Sequence, residues 1–165
     1  MELIGVRVEL PSNTPIVVLR ERSGQGRTMS IFIGGPEATA IAFALEGVET
    51  PRPLTHDLMK NVLDELSVSL TSVVITELRD TTYYAELHLV ASGEASVVSA
   101  RPSDAVAIAS RVGCPIMATE GILDEVGFVE ESIEEDDDEQ GTDPDEVVEE
   151  FKTFIENVNP EDFAS

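Results

Sequence analysis

The stretch IFIGGPEATAIAFALEGVETPRPLTHDL, residues 31–58, and its later counterpart ARPSDAVAIASRVGCPIMAT, residues 100–119, decide how this chain is read. Each sets a strand, a tight turn and a helix start in succession. In the first, Ile31, Phe32 and Ile33 run into Gly34 and Gly35, Pro36 supplies the fixed φ of a first helical turn, and Glu37 puts negative charge on the positive end of the helix. Gly47 closes that helix about three turns later. In the second, Val97 and Val98 lead to Arg101, Pro102 fits a first turn, and Asp104 can accept from free backbone N–H groups. Gly113 ends this helix and Pro115 forbids its continuation. Between the two, PRPLTHD at 51–57 reads as a third helix start with Thr55 as its N-cap.

Outward from these stretches the pattern alternates with period two. Residues 2–10, 16–19 and 28–33 read as three consecutive strands, the first placing Ile4, Val6, Val8 and Leu10 on one face. Two helices follow. The one at 36–46 is alanine-rich and is expected to pack closely through Ala38, Ala42 and Leu45 beside Ile41; the one at 55–66 carries a stripe of Leu58, Val62 and Leu66 with Met59 and Leu63 beside it. A second set of three strands is expected at 68–78, 83–91 and 95–99, then a helix from 102, a short strand at 116–118 and a short helix at 121–126. Grouped antiparallel strands interrupted by grouped helices define an α+β fold: two antiparallel three-stranded β segments with intervening and following helices, in a single domain with an acidic tail.

Composition changes after residue 128. The net charge of −23 is uneven, since residues 129–165 hold 16 acidic residues and one lysine, leaving −8 on residues 1–128. One domain at 1–128, an acidic disordered linker at 129–143 and a C-terminal amphipathic helix at 144–165 is the organisation expected. That last stretch spaces Val147, Phe151, Phe154, Ile155 and Val158 as one helical face, which can dock on its own domain or on a protein partner. No apolar run approaches the roughly 20 residues that span a bilayer, so no membrane is expected and the cytoplasm is the expected location. The lone Cys114 agrees with a reducing compartment. Alternating strands with few blocking charges predict a homodimer.

The motifs IGGPEATAIAFALEG, PRPLTHDL and RPSDAVAIA followed by PI, in that order, resemble the bifunctional nuclease domain family over residues 1–128. The resemblance implies a small α+β domain and nuclease activity on RNA or DNA. If that activity holds here, the expected mechanism is phosphodiester hydrolysis by a Mg²⁺- or Mn²⁺-bound water, with Asp57, Asp104 and Glu37 holding the metal, His56 moving protons, and Arg52 and Arg101 stabilising charge on phosphorus. Each of these residues also has a plainer reading. Gly34 and Gly35 serve a tight turn as well as a phosphate cradle, His56 and Asp57 can be the ordinary first turn of a helix, and Asp104 can cap a helix while paired with Arg101. His88 and Glu86 fit a polar pair on a strand rather than a ligand set. The alternative function is a non-catalytic oligomeric scaffold or regulatory module that binds a protein partner or a small anionic ligand. An acidic domain whose only lysine is Lys60 favours that alternative, because nucleic-acid affinity usually rests on a basic surface.

Overall fold

Among the described residues, strand-forming runs bounded by turn residues, and helices bounded by proline and glycine, assemble into two sheets and four helices. The computed structural model describes residues 1–129. The expected linker, beyond its first residue, and the expected C-terminal helix lie outside the described residues. In chain order the elements are β1 (Glu2–Glu9), β2 (Thr14–Arg20), β3 (Thr28–Phe32), α1 (Gly35–Glu46), α2 (Thr55–Glu65), β4 (Val68–Arg79), β5 (Thr82–Ala91), β6 (Glu94–Ala100), α3 (Pro102–Val112), β7 (Ile116–Ala118) and α4 (Glu120–Val126). The α+β class and both three-stranded segments are as the sequence implies.

One sheet is an antiparallel β1-β2-β3 meander, and the other has the order β6-β5-β4-β7. Two-residue turns make the hairpins of the second sheet. Asp80 and Thr81 at φ 47° and 67° join β4 to β5, and Ser92 and Gly93 at 51° and 83° join β5 to β6. Positive φ at both turn residues matches the right-handed twist of the flanking strands. The chain then crosses over through α3, and β7 lies parallel to β4 with Val73 beside Ile116.

The core joins both sheets through the helices. Val17, Leu19, Met29 and Ile31 from the first sheet, Val73, Ile75, Ala85 and Leu87 from the second, and residues 105–109 of α3 are all buried in one cluster. Helix α3 packs against α1, α2, β4 and β5, so five consecutive residues, Ala105, Val106, Ala107, Ile108 and Ala109, have almost no exposure. Three of them are alanines, which let neighbouring backbones approach. Each fully buried Val or Ile adds about 1.5–3 kcal/mol relative to exposure.

Several expected faces differ. A register shift between Leu3 and Gly5 changes the parity of β1, so Leu3 and Val6 pack on the core while Val8 and Leu10 are exposed. On α1 the buried residues are Ala38, Ala40 and Ile41, whereas Ala42 is only half-buried and Leu45 faces water. On α2, Leu63 reaches the core, but Leu58, Met59, Val62 and Leu66 are exposed, and the buried residue of that helix is His56. The N-cap of α2 is Leu54 rather than Thr55. The expected glycine ends are present: Gly47 and Gly113 take left-handed conformations, φ 64° and 78°, that close α1 and α3.

A buried arginine secures the far side. Arg27 donates to Glu21 at 3.1 Å, Glu120 at 2.7 Å and Asp124 at 2.8 Å, tying the β2–β3 turn to α4. Hydrogen bonds to Glu21 and Glu120 raise its pKa beyond its usual value, so it is a permanent cation. Beside it, Thr28 and Phe128 exchange backbone hydrogen bonds of 2.7 and 3.0 Å.

Candidate functional site

The first turns of α1, α2 and α3 share one architecture. Their N-caps are Gly34, Leu54 and Arg101, all with extended backbone, and the third helical residue of each is acidic: Glu37, Asp57 and Asp104. Acid at that position stabilises the positive end of a helix. The three residues expected to hold a metal are therefore the equivalent acids of three helices.

Tertiary structure joins these starts through side chains. His56 Nε2 lies 3.1 Å from Asp104 Oδ1, linking α2 to α3. Arg101 donates from Nε to Asp104 Oδ2 at 2.7 Å and from its terminal nitrogen to Asp104 Oδ1 at 3.0 Å. The same guanidinium reaches Glu37 Oε1 at 2.9 Å, which brings α1 into the cluster. Glu37 folds back over Gly34 so closely that a Cβ there would stand 2.2 Å from Glu37 Oε2. A side chain at residue 34 would oblige the Glu37 carboxylate to shift. The acid lies at the positive end of α1.

Asp57 points elsewhere. It accepts from the Leu54 backbone N–H at 2.9 Å and forms an ion pair with Arg111, whose guanidinium also donates to the carbonyls of Ala40 at 3.0 Å and Ala107 at 2.9 Å. Arg111, with its side chain 7% exposed, binds α1, α2 and α3 together from the last turn of α3. It was not among the expected site residues. The available signal was its spacing, since Asp104 and Arg111, seven residues apart, lie on one face of α3. Arg52, expected to bind phosphate, is exposed in the loop between α1 and α2; its carbonyl accepts from Thr50, and among the described residues no ion pair reaches its side chain. His88 Nε2 lies 3.3 Å from Glu86 on the same strand, without a hydrogen bond between them.

The electrostatics follow the pairing. The Arg111 hydrogen bond holds the Asp57 carboxyl below its usual range, helped by the Leu54 N–H. For Asp104, burial pushes upward, but the hydrogen bonds from Arg101 and His56 outweigh it and the group ends below its usual value. Asp104 is then ionised near neutral pH and can only accept. It follows that His56 Nε2 donates in their contact. His56 is buried, whereas the Arg101 side chain is 66% exposed. Solvent and ligands meet the arginine first.

The metal set expected at Asp57, Asp104 and Glu37 is divided between two guanidiniums. Among the described residues, no group of three His, Cys, Asp or Glu side chains is placed to hold a metal ion. As arranged, these residues form an ion-paired network rather than a coordination shell.

The model of the bifunctional nuclease domain matches residues 17–131. The chain belongs to that family. An uncharacterized protein of Mycobacterium tuberculosis is 44% identical over 167 residues, which cover all of this chain and 98% of that protein. The protein named bifunctional nuclease 1 of Arabidopsis thaliana is 30% identical over 105 residues, covering 62% of this chain and 32% of the plant protein, and bifunctional nuclease 2 of the same plant is 30% identical over 112 residues, covering 65% and 34%. Among the described residues, no helix is long and apolar enough to cross a membrane.

Proposed function

We propose that this protein is a nuclease that hydrolyses phosphodiester bonds in RNA or DNA at the cluster of His56, Asp104, Arg101 and Glu37. The observation that supports this reading is that three separate helix starts contribute to one group in which a histidine is oriented by a carboxylate beside an exposed arginine. Family membership supports the class of substrate. In the proposed reaction a phosphate displaces Glu37 from Arg101, whose guanidinium takes the non-bridging oxygens and stabilises charge as it builds on phosphorus. His56 Nδ1 removes a proton from the attacking water while Asp104 holds the ring. The water oxygen bonds to phosphorus, the opposite P–O bond breaks, and the departing oxygen takes a proton from solvent. Arg52 adds a second phosphate contact.

This reaction runs on the chain's own side chains. In the other form of the proposal, Asp57, Asp104 and Glu37 hold Mg²⁺ or Mn²⁺, and all three must first leave their guanidiniums. A chelator distinguishes the two forms. We place the protein in the cytoplasm, as a homodimer, with the stretch at 144–165 available to its own domain or a protein partner.

A second reading has its own support. Every acid of the cluster occupies a helix start and is ion-paired, which is also what a purely structural network would show. On that reading the domain is a scaffold or regulator that binds a protein or a small anion. The deciding experiment is cleavage of labelled single-stranded RNA and DNA by the wild type and by His56→Ala and Arg101→Ala, each with and without chelator. A loss of about 10²–10⁴-fold in the histidine variant supports catalysis. Activity unchanged in both variants overturns it and leaves the scaffold.

A further inference from the structure

The four outer strands of the two sheets are not protected alike. The edge of β3 is covered where Thr28 and Phe128 exchange hydrogen bonds, and the edge at β7 is met by the Met1 amine, which donates to the Ile116 carbonyl at 2.6 Å. Strand β1 carries a bulge and the charges of Glu2, Arg7 and Glu9. These are the ordinary ways in which a sheet edge is kept from pairing with another chain. Strand β6 has neither cover nor bulge, and its one charge, Glu94, stands at its very start. Its sequence, EASVVSA, contains no proline and no basic residue, its register with β5 runs without a shift, and among the described residues β5 is the strand it pairs with. Six of its seven residues are exposed, including Val97 at 54% and Val98 at 47%.

We infer that β6 is the surface through which two copies of this chain associate, pairing antiparallel about Val97 so that two four-stranded sheets become one continuous sheet. The second copy is the occupant that the strand itself specifies. In this register Val97 faces Val97 of the other copy, Ser96 faces Val98, Ala95 faces Ser99, and Glu94 faces Ala100. The one charge of the strand therefore never meets its like; only a charge at residue 97 would. One bare edge per described domain also means that pairing closes at two copies instead of propagating. Backbone hydrogen bonds supply the attraction, and the facing valines exclude water at the centre. Association through β6 and cleavage at His56 are separate properties.

Sedimentation velocity of the full chain across a concentration series reads the first property alone. A dimer is expected, and Val97→Lys and Val97→Glu, each placing like charges face to face, should each raise its dissociation constant by about tenfold or more while the far-UV circular dichroism spectrum stays that of the wild type. An equimolar mixture of the two variants should recover a heterodimer, because only this register sets residue 97 against itself. A wild type that stays monomeric overturns the inference. So does a dimer indifferent to both charges, which would place association on another surface such as the exposed Leu58 and Val62 of α2, and so does a mixture that fails to reassociate. If neither charge variant folds, amide exchange of the wild type decides: β6 amides that gain protection with protein concentration support the pairing, and β6 amides that do not overturn it.

Discussion

Helices α2 and α3 begin alike and end in different surroundings. Both have an extended N-cap and an acid as third residue, and they meet where His56 touches Asp104. Yet α3 is enclosed by α1, α2, β4 and β5, while α2 lies on the outside with Leu58, Met59, Val62 and Leu66 in contact with water. Periodicity alone ranks them wrongly, because α2 has the clear apolar stripe and α3 is a run of small and branched residues. The lesson is that amphipathic spacing says a face exists, whereas side-chain size says how closely a helix can be surrounded. Alanine at 105, 107 and 109 permits approach on every side.

The sharpest test of this contrast is Arg111, which belongs to α3 but holds α2. Arg111→Met should destabilise the protein by about 3 kcal/mol, since it leaves Asp57 without its cation and the Ala40 carbonyl without that donor. Chemical denaturation measures this, and a loss below about 1 kcal/mol would mean that α2 is held by its apolar contacts instead. Next in size, Ala107→Leu should cost about 1–3 kcal/mol by overpacking, while Val62→Ala on α2 should change stability by less than about 0.5 kcal/mol. Equal effects at the two positions would erase the distinction between an enclosed and a peripheral helix.

A smaller effect depends on pH. The folded protein holds Asp57 below its usual pKa through Arg111, so this pair contributes stability that is complete above the unfolded value of about 3.9 and is lost as pH falls through the lower folded value. Asp57→Asn should therefore be less stable than wild type at neutral pH, and the difference should close under acid conditions. Melting temperatures of both proteins from neutral pH downward test the sign. A gap that widens in acid would contradict the pairing. A modest effect is also expected at the glycine beneath Glu37. Gly34→Ala should lower the melting temperature by only a few degrees, corresponding to about 1 kcal/mol, while moving Glu37 off Arg101. An unchanged Arg101–Glu37 contact in the variant structure would show that the acid needs no space at residue 34.

Much of the fold was legible because its signals are local. Pro36 and Pro102 mark helix starts, Gly47 and Gly113 mark helix ends, and the hairpin turns at 80–81 and 92–93 lie between period-two runs. The site was legible in part. Glu37, Asp57 and Asp104 were recognisable as acids in first turns, and His56 and Arg101 stood beside them, but nothing local joins residue 56 to 104 or residue 57 to 111. Those pairings depend on how helices cross, which is decided by the sum of packing over the core.

The sequence by itself determined the α+β class, the element order, the helix ends and the family, because propensity, turn chemistry and motif order are properties of neighbouring residues. Only the tertiary structure decided that β7 lies parallel beside β4, that the bulge turns Leu3 rather than Ile4 inward, that Asp57 belongs to Arg111, and that among the described residues β6 pairs with β5 alone. Each of those outcomes depends on groups far apart in the chain competing for the same space and the same hydrogen-bond partners, and that competition is settled only when the whole core closes.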